Sequence, residues 1–235
     1  MSCDFDAYVK NYRDIINDGA KITGENYEYF IQLRLKLLVN KVQKKIVNKR
    51  NLKILDFGCG TGITEIYLKS SFPDSTIYGT DISEESIKAA NALNIENVLF
   101  VNAESLTGRF GDNYFDLIYS NGTIHHLPRE THVAVFEKLR RLLKIDGDLF
   151  IFENNPFNPL MRKAMKKNPF DKEAHFIYPK YLKKILNDAG FKTHAVNYYM
   201  FYPKYLKFLR STERYLVRVP LGAQYFAWSL KGLSA

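Results

Sequence analysis

Three glycines, Gly58, Gly60 and Gly62, stand at every second position of ILDFGCGTGI, and the apolar run before them carries Asp56. Glycine loses the most backbone entropy on ordering, so this spacing suits neither helix nor strand and points to a tight turn lying against something flat. The order G-C-G-T-G brings the third glycine one residue earlier than in the dinucleotide fingerprint, and no Lys follows it, which excludes a P-loop. Asp81 ends the next apolar run, STIYGTDI, 19 residues after Gly62. A carboxylate there can accept hydrogen bonds from both hydroxyls of a ribose. In VNAES, Asn102 or Glu104 could meet an adenine edge. A strand–helix turn without a ligand is the alternative for the glycines alone, and Asp81 argues against it. Farther on, SNGTIHHLP holds His125 and His126, either of which can take a proton near neutral pH or can simply pack and orient its loop. Adjacent histidines with no third ligand nearby do not suggest a metal site. Glu153 and Asn154, closing GDLFIFEN, are further rim candidates.

These residues need a scaffold, and the pattern from Lys53 onward supplies one. The runs KILDFG, STIYGTDI, NVLFVNA, YFDLIYSN and GDLFIFEN are short and continuously apolar, as strands buried on both faces should be. Between them GITEIYLKSSF, SEESIKAANAL and RETHVAVFEKLRRLLK carry helical periodicity, with Ser83 placed to cap the second of these. Strand–helix alternation predicts a parallel sheet with helices on both sides. The division expected is a helical cap over 1–50, an α/β core over 51–153, and a remainder over 154–235 that belongs to the same domain. The cap combines a shorter helical pattern over 4–17 with a long one over 25–47. Beyond the core, NNPFNPLMRKAMKKNPFDKEAHFIYP is broken by prolines and basic, which predicts an inserted lid. A helix closed by Gly190 and the strand-like runs KTHAVNYYMFY and AQYFAWSLK follow. Between those runs, helical spacing over 203–217 puts Tyr205, Phe208, Leu209, Thr212 and Leu216 on one face, with Lys204, Lys207, Arg210 and Arg214 largely off it.

Of the 235 residues 46% are apolar and 25% charged, a balance with enough apolar material for a real core. No stretch approaches the ~20 apolar residues of a membrane span. The N-terminus carries acids where a secretory signal would carry bases. Cys3 and Cys59 are the only cysteines, so no disulfide framework is expected and a cytoplasmic location is. Charge is uneven: residues 1–156 hold 19 Lys and Arg against 21 Asp and Glu, whereas residues 157–235 hold 15 against 4. That last segment also carries 16 of the 34 aromatic residues. Either a solvated basic face over an aromatic core or peripheral contact with an anionic membrane surface follows.

The pattern resembles the class I S-adenosylmethionine-dependent methyltransferases. The resemblance rests on LDFGCGTG, GTDIS, VNAESL in place of a more usual G-D-A-E, and FDLIYSNGTIHHL, and covers roughly Lys53 to Glu153. The distal ENNPFNPLMRKAMKKNPFDKEA and PLGAQYF are similar to a bacterial methyltransferase subgroup. The resemblance implies a Rossmann-like α/β fold. Its sheet would have seven mostly parallel strands with the last, AQYFAWSLK, antiparallel, helices on both faces and inserted lid segments. S-adenosyl-L-methionine is the implied cofactor. Gly58, Cys59, Gly60 and Gly62 would lie against its methionine part, and Asp56 would steady the loop or orient the amino group. Asp81 would hold the ribose, Asn102, Ala103 and Glu104 would border the adenine and Asn121 the sulfonium side, and Ile82 would also touch the cofactor. Tyr8 and Tyr12 would fold back over the ligands, with Tyr29 and Arg34 serving likewise and Arg34 pairing with the cofactor carboxylate; such aromatics are equally at home in a core. The implied reaction is in-line methyl transfer to a small-molecule or carrier- or lipid-linked acceptor, including a sugar, with His125, His126 or Glu153 handling any proton. A nucleic-acid methyltransferase is the alternative, although the Asn/Asp-Pro-Pro-aromatic motif of base-methylating enzymes is replaced by SNGTIHH, and NNPF follows the wrong strand. A non-catalytic, cofactor-binding partner subunit is the third reading. Nucleic acid is not an expected partner, and the chain is expected as a monomer or homodimer.

Overall fold

The apolar runs become the strands of one sheet because each alternates its side chains between two helix-covered faces. A computed structural model of the chain describes residues 6, 9, 11–46, 51–171 and 174–232. Its strands are β1 (Lys53–Phe57), β2 (Thr76–Asp81), β3 (Val98–Asn102), β4 (Phe115–Asn121), β5 (Leu143–Asn154), β6 (Phe191–Tyr199) and β7 (Gln224–Lys231). They lie in the order β3-β2-β1-β4-β5-β7-β6. Only β7 runs antiparallel, between β5 and β6, as the resemblance implied.

The helices are α1 (Tyr12–Ala20), α2 (Tyr27–Ile46), α3 (Ile63–Ser71), α4 (Glu84–Ala92), α5 (Leu106–Arg109), α6 (His132–Leu142), α7 (Pro159–Lys167), α8 (Pro179–Asp188) and α9 (Glu213–Leu216). On one face Ile54, Leu117, Phe150 and Phe226 of the strands pack with Ile31, Leu35 and Leu38 of α2. On the other, Leu55, Ile118, Ile151 and Tyr225 pack with Phe136 and Leu139 of α6 and Leu182 and Leu186 of α8. Neighbouring residues thus divide between faces, as the pleat of a strand requires. Ser83 caps α4 by accepting from the Ser86 N–H at 3.0 Å, and its hydroxyl donates to Asp6 Oδ1 at 2.5 Å.

Two expectations shift. β5 begins at Leu143 rather than beyond Gly147, with a turn inside it at Asp146, where φ is +60°. The segment expected as an amphipathic α-helix is instead a 3₁₀ stretch over Lys204–Thr212 followed by the short α9. At three residues per turn rather than 3.6, its faces change. Tyr205 and Phe208 are exposed, at 74% and 71%. Arg210 turns inward: it pairs with Glu25 at 2.9 Å, lies over the Tyr29 ring and donates to the Tyr202 carbonyl. It therefore ties the segment to the chain ahead of α2 and is not a surface cation.

Candidate active site

The carboxyl ends of β1, β2, β4 and β5 open into a cavity of about 1000 Å³, large enough for a cofactor and an acceptor together. On one side the glycine loop folds as a tight turn. The Gly58 and Cys59 N–H groups donate to the Thr80 carbonyl at 2.8 and 2.9 Å, and the Gly62 N–H donates to the Cys59 carbonyl at 3.2 Å. The three glycines, all at positive φ, have different duties. A side chain at Gly58 would overlap Thr123, and one at Gly62 would meet Ala90 and Phe100 at 2.8 Å, so both are demanded by the protein's own packing. Gly60, at φ +54°, faces open space and the cavity. Its N–H donates to Asp81 Oδ2 at 2.9 Å, while Asp81 Oδ1 accepts from the Ser83 N–H at 2.9 Å. Burial pushes the Asp81 carboxyl up, and those backbone N–H bonds oppose the shift.

The other residues predicted for the cofactor divide. Ile82, Ala103 and Asn121 line the cavity. Cys59 does not: it is buried against Ala90 and Phe100, and burial, then the charge of Glu65, raises its thiol. Asn102 is spent on its own turn, accepting from the Glu104 N–H at 2.8 Å, and neither residue reaches the lining. Asp56 is buried beneath the floor, only 2% exposed. Tyr8 lies outside the described residues, as does the side chain of Tyr12. Tyr29 and Arg34 both line the cavity. Arg34 is 3% exposed, and its Nε has no hydrogen-bond partner. Beside it Tyr199 donates to Gln224 Oε1 at 2.7 Å, and Gln224 donates to Asn154 Oδ1 at 2.9 Å, fixing Asn154 on the same wall.

On the acceptor side His125 and His126 occupy a 3₁₀ turn just past β4. His125 Nδ1 lies 2.6 Å from Glu153 Oε2, and its Nε2 lies 3.4 Å from Asp171 Oδ1. Burial works against a charge on His125, but Glu153 and Asp171 overcome it and raise the imidazole to about 10. His126, whose Nε2 is 3.6 Å from the same Asp171 oxygen, is lowered to about 4 by burial and by charged His125. One imidazole is thus held as a cation and its neighbour as a neutral base. α7, through Met161 and Met165, and the turn at 168–171 close this end, while Phe201, Leu206 and Tyr205 form another rim.

A family description, methyltransferase domain, matches residues 54–147. The chain is 34% identical over 141 residues to the phosphoethanolamine N-methyltransferase of Plasmodium falciparum, a match covering 57% of this chain and 52% of that protein. It is 32% identical over 141 residues to malonyl-[acyl-carrier protein] O-methyltransferase 2 of Ilyobacter polytropus, covering 57% and 53%. The matches span about half the length of each of these two relatives. In fold, a SAM-dependent methyltransferase from Aquifex aeolicus superposes with a TM-score of 0.61 at 20% identity, covering 96% of this chain and 98% of that one. Residues 54–147 thus match the methyltransferase-domain family, and the chain has the fold seen in S-adenosylmethionine-dependent methyltransferases.

The cavity fits the cofactor of that family. Gly60 offers a bare backbone surface, Asp81 a carboxylate with lone pairs beyond those its two backbone donors use, and Arg34 a buried cationic N–H with nothing to bind. Among the described residues no helix of the chain is long and apolar enough to cross a membrane.

Two acidic residues of the site escape sequence reasoning. Glu65 is fully buried, with neither oxygen hydrogen-bonded in good geometry. An acid in the first turn of a helix is ordinary, since it favours the N-terminal dipole, so nothing set Glu65 apart. Asp171 sits in the basic lid, and only tertiary packing brings it to the histidines. Burial raises both Asp56 and Glu65 above ordinary carboxyl values, helped by the charge of Asp81 at Asp56 and by that of Asp56 at Glu65, while the Arg34 guanidinium and a hydrogen bond with Glu65 oppose the shift at Asp56. The folded chain therefore keeps protons that the unfolded chain releases above about pH 4, and stability falls as pH rises from there. In cofactor-free protein, Glu65→Gln is expected to flatten the decline of Tm between about pH 5 and 8. An equal or steeper decline in the variant, read by calorimetry across that range, would refute the account of buried carboxyls that keep their protons.

Proposed function

We propose that this protein transfers a methyl group from S-adenosylmethionine to a small-molecule or carrier- or lipid-linked acceptor, presented at or near an anionic surface. The observation that carries the reading is one cavity that holds the glycine loop and Asp81 at one end and an aromatic rim of Phe201, Tyr202 and Tyr205 at the other. Bound S-adenosylmethionine supplies an electrophilic methyl on its sulfonium. The protein's work is then to align and to exclude water. Asp81 takes the ribose hydroxyls, Arg34 the carboxylate, and Ile82 with Ala103 the adenine edge. Met161, Met165 and the turn at 168–171 cover the acceptor end. Where the acceptor arrives protonated, His126 is the neutral nitrogen able to take its proton, while His125, charged and clamped by Glu153, is a positioning residue. Relatives whose names give phosphoethanolamine and a malonyl-carrier protein as acceptors support a small or carried acceptor.

The surface part of the reading rests on Tyr205, Phe208 and Tyr215, exposed at 74%, 71% and 72% beside Lys204, Lys207 and Arg214. Aromatic rings and cations together favour an anionic interface. Each cation near such a surface contributes about 1 kcal/mol, so replacing Lys204, Lys207 and Arg214 by Gln should weaken binding to phosphatidylglycerol vesicles roughly 100-fold. Arg210 is left intact because it ties the rim to Glu25. Cosedimentation at low ionic strength, with methyl-labelled cofactor present, reads both parts. Label entering the lipid-extractable or carrier-linked fraction supports the acceptor class. Label appearing only in added RNA or DNA would sink it, and absent vesicle binding by the wild type would end the surface reading alone.

A further inference from the structure

Glu153 and Asp171 bring two carboxylates to a buried corner where, among the described residues, their only cationic partners are imidazoles. Side-chain exposure there is 1% for Glu153, 3% for His125, 8% for Asp171 and 19% for His126. Two acids so enclosed need positive charge beside them. Their geometry is more specific than charge balance requires. Nε2 of His125 and Nε2 of His126 both point at one oxygen, Asp171 Oδ1, at 3.4 and 3.6 Å, distances too long for good hydrogen bonds. His125 Nε2 is wholly buried and has no hydrogen-bond partner in good geometry. Among the described residues, His125, His126 and Asp171 present three ligand atoms within 4.8 Å of one another.

We infer that His125, His126 and Asp171 form a site for a divalent transition-metal ion of the zinc class, with its open position toward the cavity. The inference deepens the methyl-transfer reading and rests on it for the use of the metal, not for its binding. Ligands at 2.0–2.2 Å around a tetrahedral ion stand roughly 3.3–3.6 Å from each other, the range of the two separations seen. Two imidazoles and one carboxylate suit zinc or iron rather than magnesium or calcium, which take oxygen donors. The surrounding contacts are those of a built site. Glu153 holds His125 Nδ1 at 2.6 Å, so that an ion displacing the Nε2 proton would meet an imidazole already oriented, with its remaining proton on Nδ1. The Asn168 amide donates to the other Asp171 oxygen at 3.0 Å, which leaves Oδ1 for the ion. A 2.9 Å bond from the His175 N–H to the His125 carbonyl ties the lid's far end to the histidine turn. With three protein ligands, the fourth position is left for a cavity ligand, as in catalytic rather than structural zinc sites. An anionic oxygen of the acceptor matches it. A metal and a proton compete for the same imidazole lone pairs, so on this reading His126 orients the acceptor through the ion instead of acting as a base.

The test uses the full chain, treated with chelator and titrated with Co²⁺, whose visible absorption reports ligand number and symmetry. One equivalent should bind with the intense bands of a four-coordinate site, and Zn²⁺ should displace it. Asp171→Asn and His126→Gln should each weaken binding at least tenfold. Glu153→Gln, which leaves all three ligands in place, should weaken it about 10- to 100-fold. His194→Gln, at a histidine of β6 packed at a tilt against Trp228 and outside the cluster, should match the wild type. Calorimetric binding of S-adenosylhomocysteine by each variant checks that it is folded and keeps the two readings apart. Cofactor binding without one-to-one Co²⁺ binding, or Co²⁺ binding indifferent to Asp171 and His126, overturns the metal site and leaves the methyltransferase assignment standing. Absence of both overturns both.

Discussion

Asp81→Ala is expected to weaken S-adenosylmethionine binding about 30-fold to several hundredfold while the protein stays folded. The carboxylate ends β2 at the cavity wall, and a ribose diol meeting it would lose both acceptors at once. Leaving such hydroxyls unpaired in a mostly buried site costs about 2–4 kcal/mol, which converts to that range of affinity. A second loss acts in the same direction. Asp81 is also the acceptor for the Gly60 N–H, so its removal frees the loop that forms the floor of the site. Asp81→Asn separates the two contributions. Its amide oxygen can still accept from Gly60 or from one hydroxyl, but it carries no charge, so an intermediate loss is expected. Calorimetry on folded protein decides the matter, and an unchanged affinity in Asp81→Ala would mean that the cofactor lies elsewhere.

The cofactor half of this site was readable because its information is local. A strand, a glycine turn and a helix follow one another without interruption, and Asp81 ends the neighbouring strand in register with Asn102. Even there the reading merged unlike residues. Gly58 and Gly62 answer to Thr123, Ala90 and Phe100, which lie far off in sequence, and Asn102 had its cap to make. The acceptor half depends on longer reach. Asp171 meets the histidines only because the lid folds back across β4 and β5. Arg34 of α2 meets Gln224 of β7, at the long hydrogen-bond distance of 3.5 Å, across a separation of 190 residues. No spacing rule announces either. The stretch over 204–212 failed for a different reason: its apolar spacing was judged by an α-helical period, and the backbone there adopts the tighter 3₁₀ turn, which exposed Tyr205 and Phe208 and drew Arg210 inward.

Substitutions at Gly60 should abolish cofactor binding without unfolding the chain, and the neighbouring glycines supply the contrast. Nothing lies within 4 Å of a Cβ built on Gly60, so a side chain there enters the cavity and meets no protein. The backbone is left-handed, at φ +54°, a conformation that costs an ordinary residue roughly 1–2 kcal/mol and a β-branched one more. Gly60→Val therefore combines filling with strain, and loss of binding there has two causes. Asn visits the left-handed region readily, so Gly60→Asn keeps the turn and the bond from its N–H to Asp81 while filling the same space. Both variants should lose measurable affinity, and the Asn variant should melt close to the wild type. Gly58→Asn should behave oppositely. Its backbone is also left-handed, but the new side chain overlaps Thr123, and overpacking of this kind destabilises by roughly 1–3 kcal/mol or more. Calorimetry with S-adenosylhomocysteine and thermal unfolding on the three variants test the assignment together. Ordinary affinity in Gly60→Asn would show that the open face of Gly60 is not where the cofactor rests, and the floor of the site would then have to be sought among the residues that line the lid.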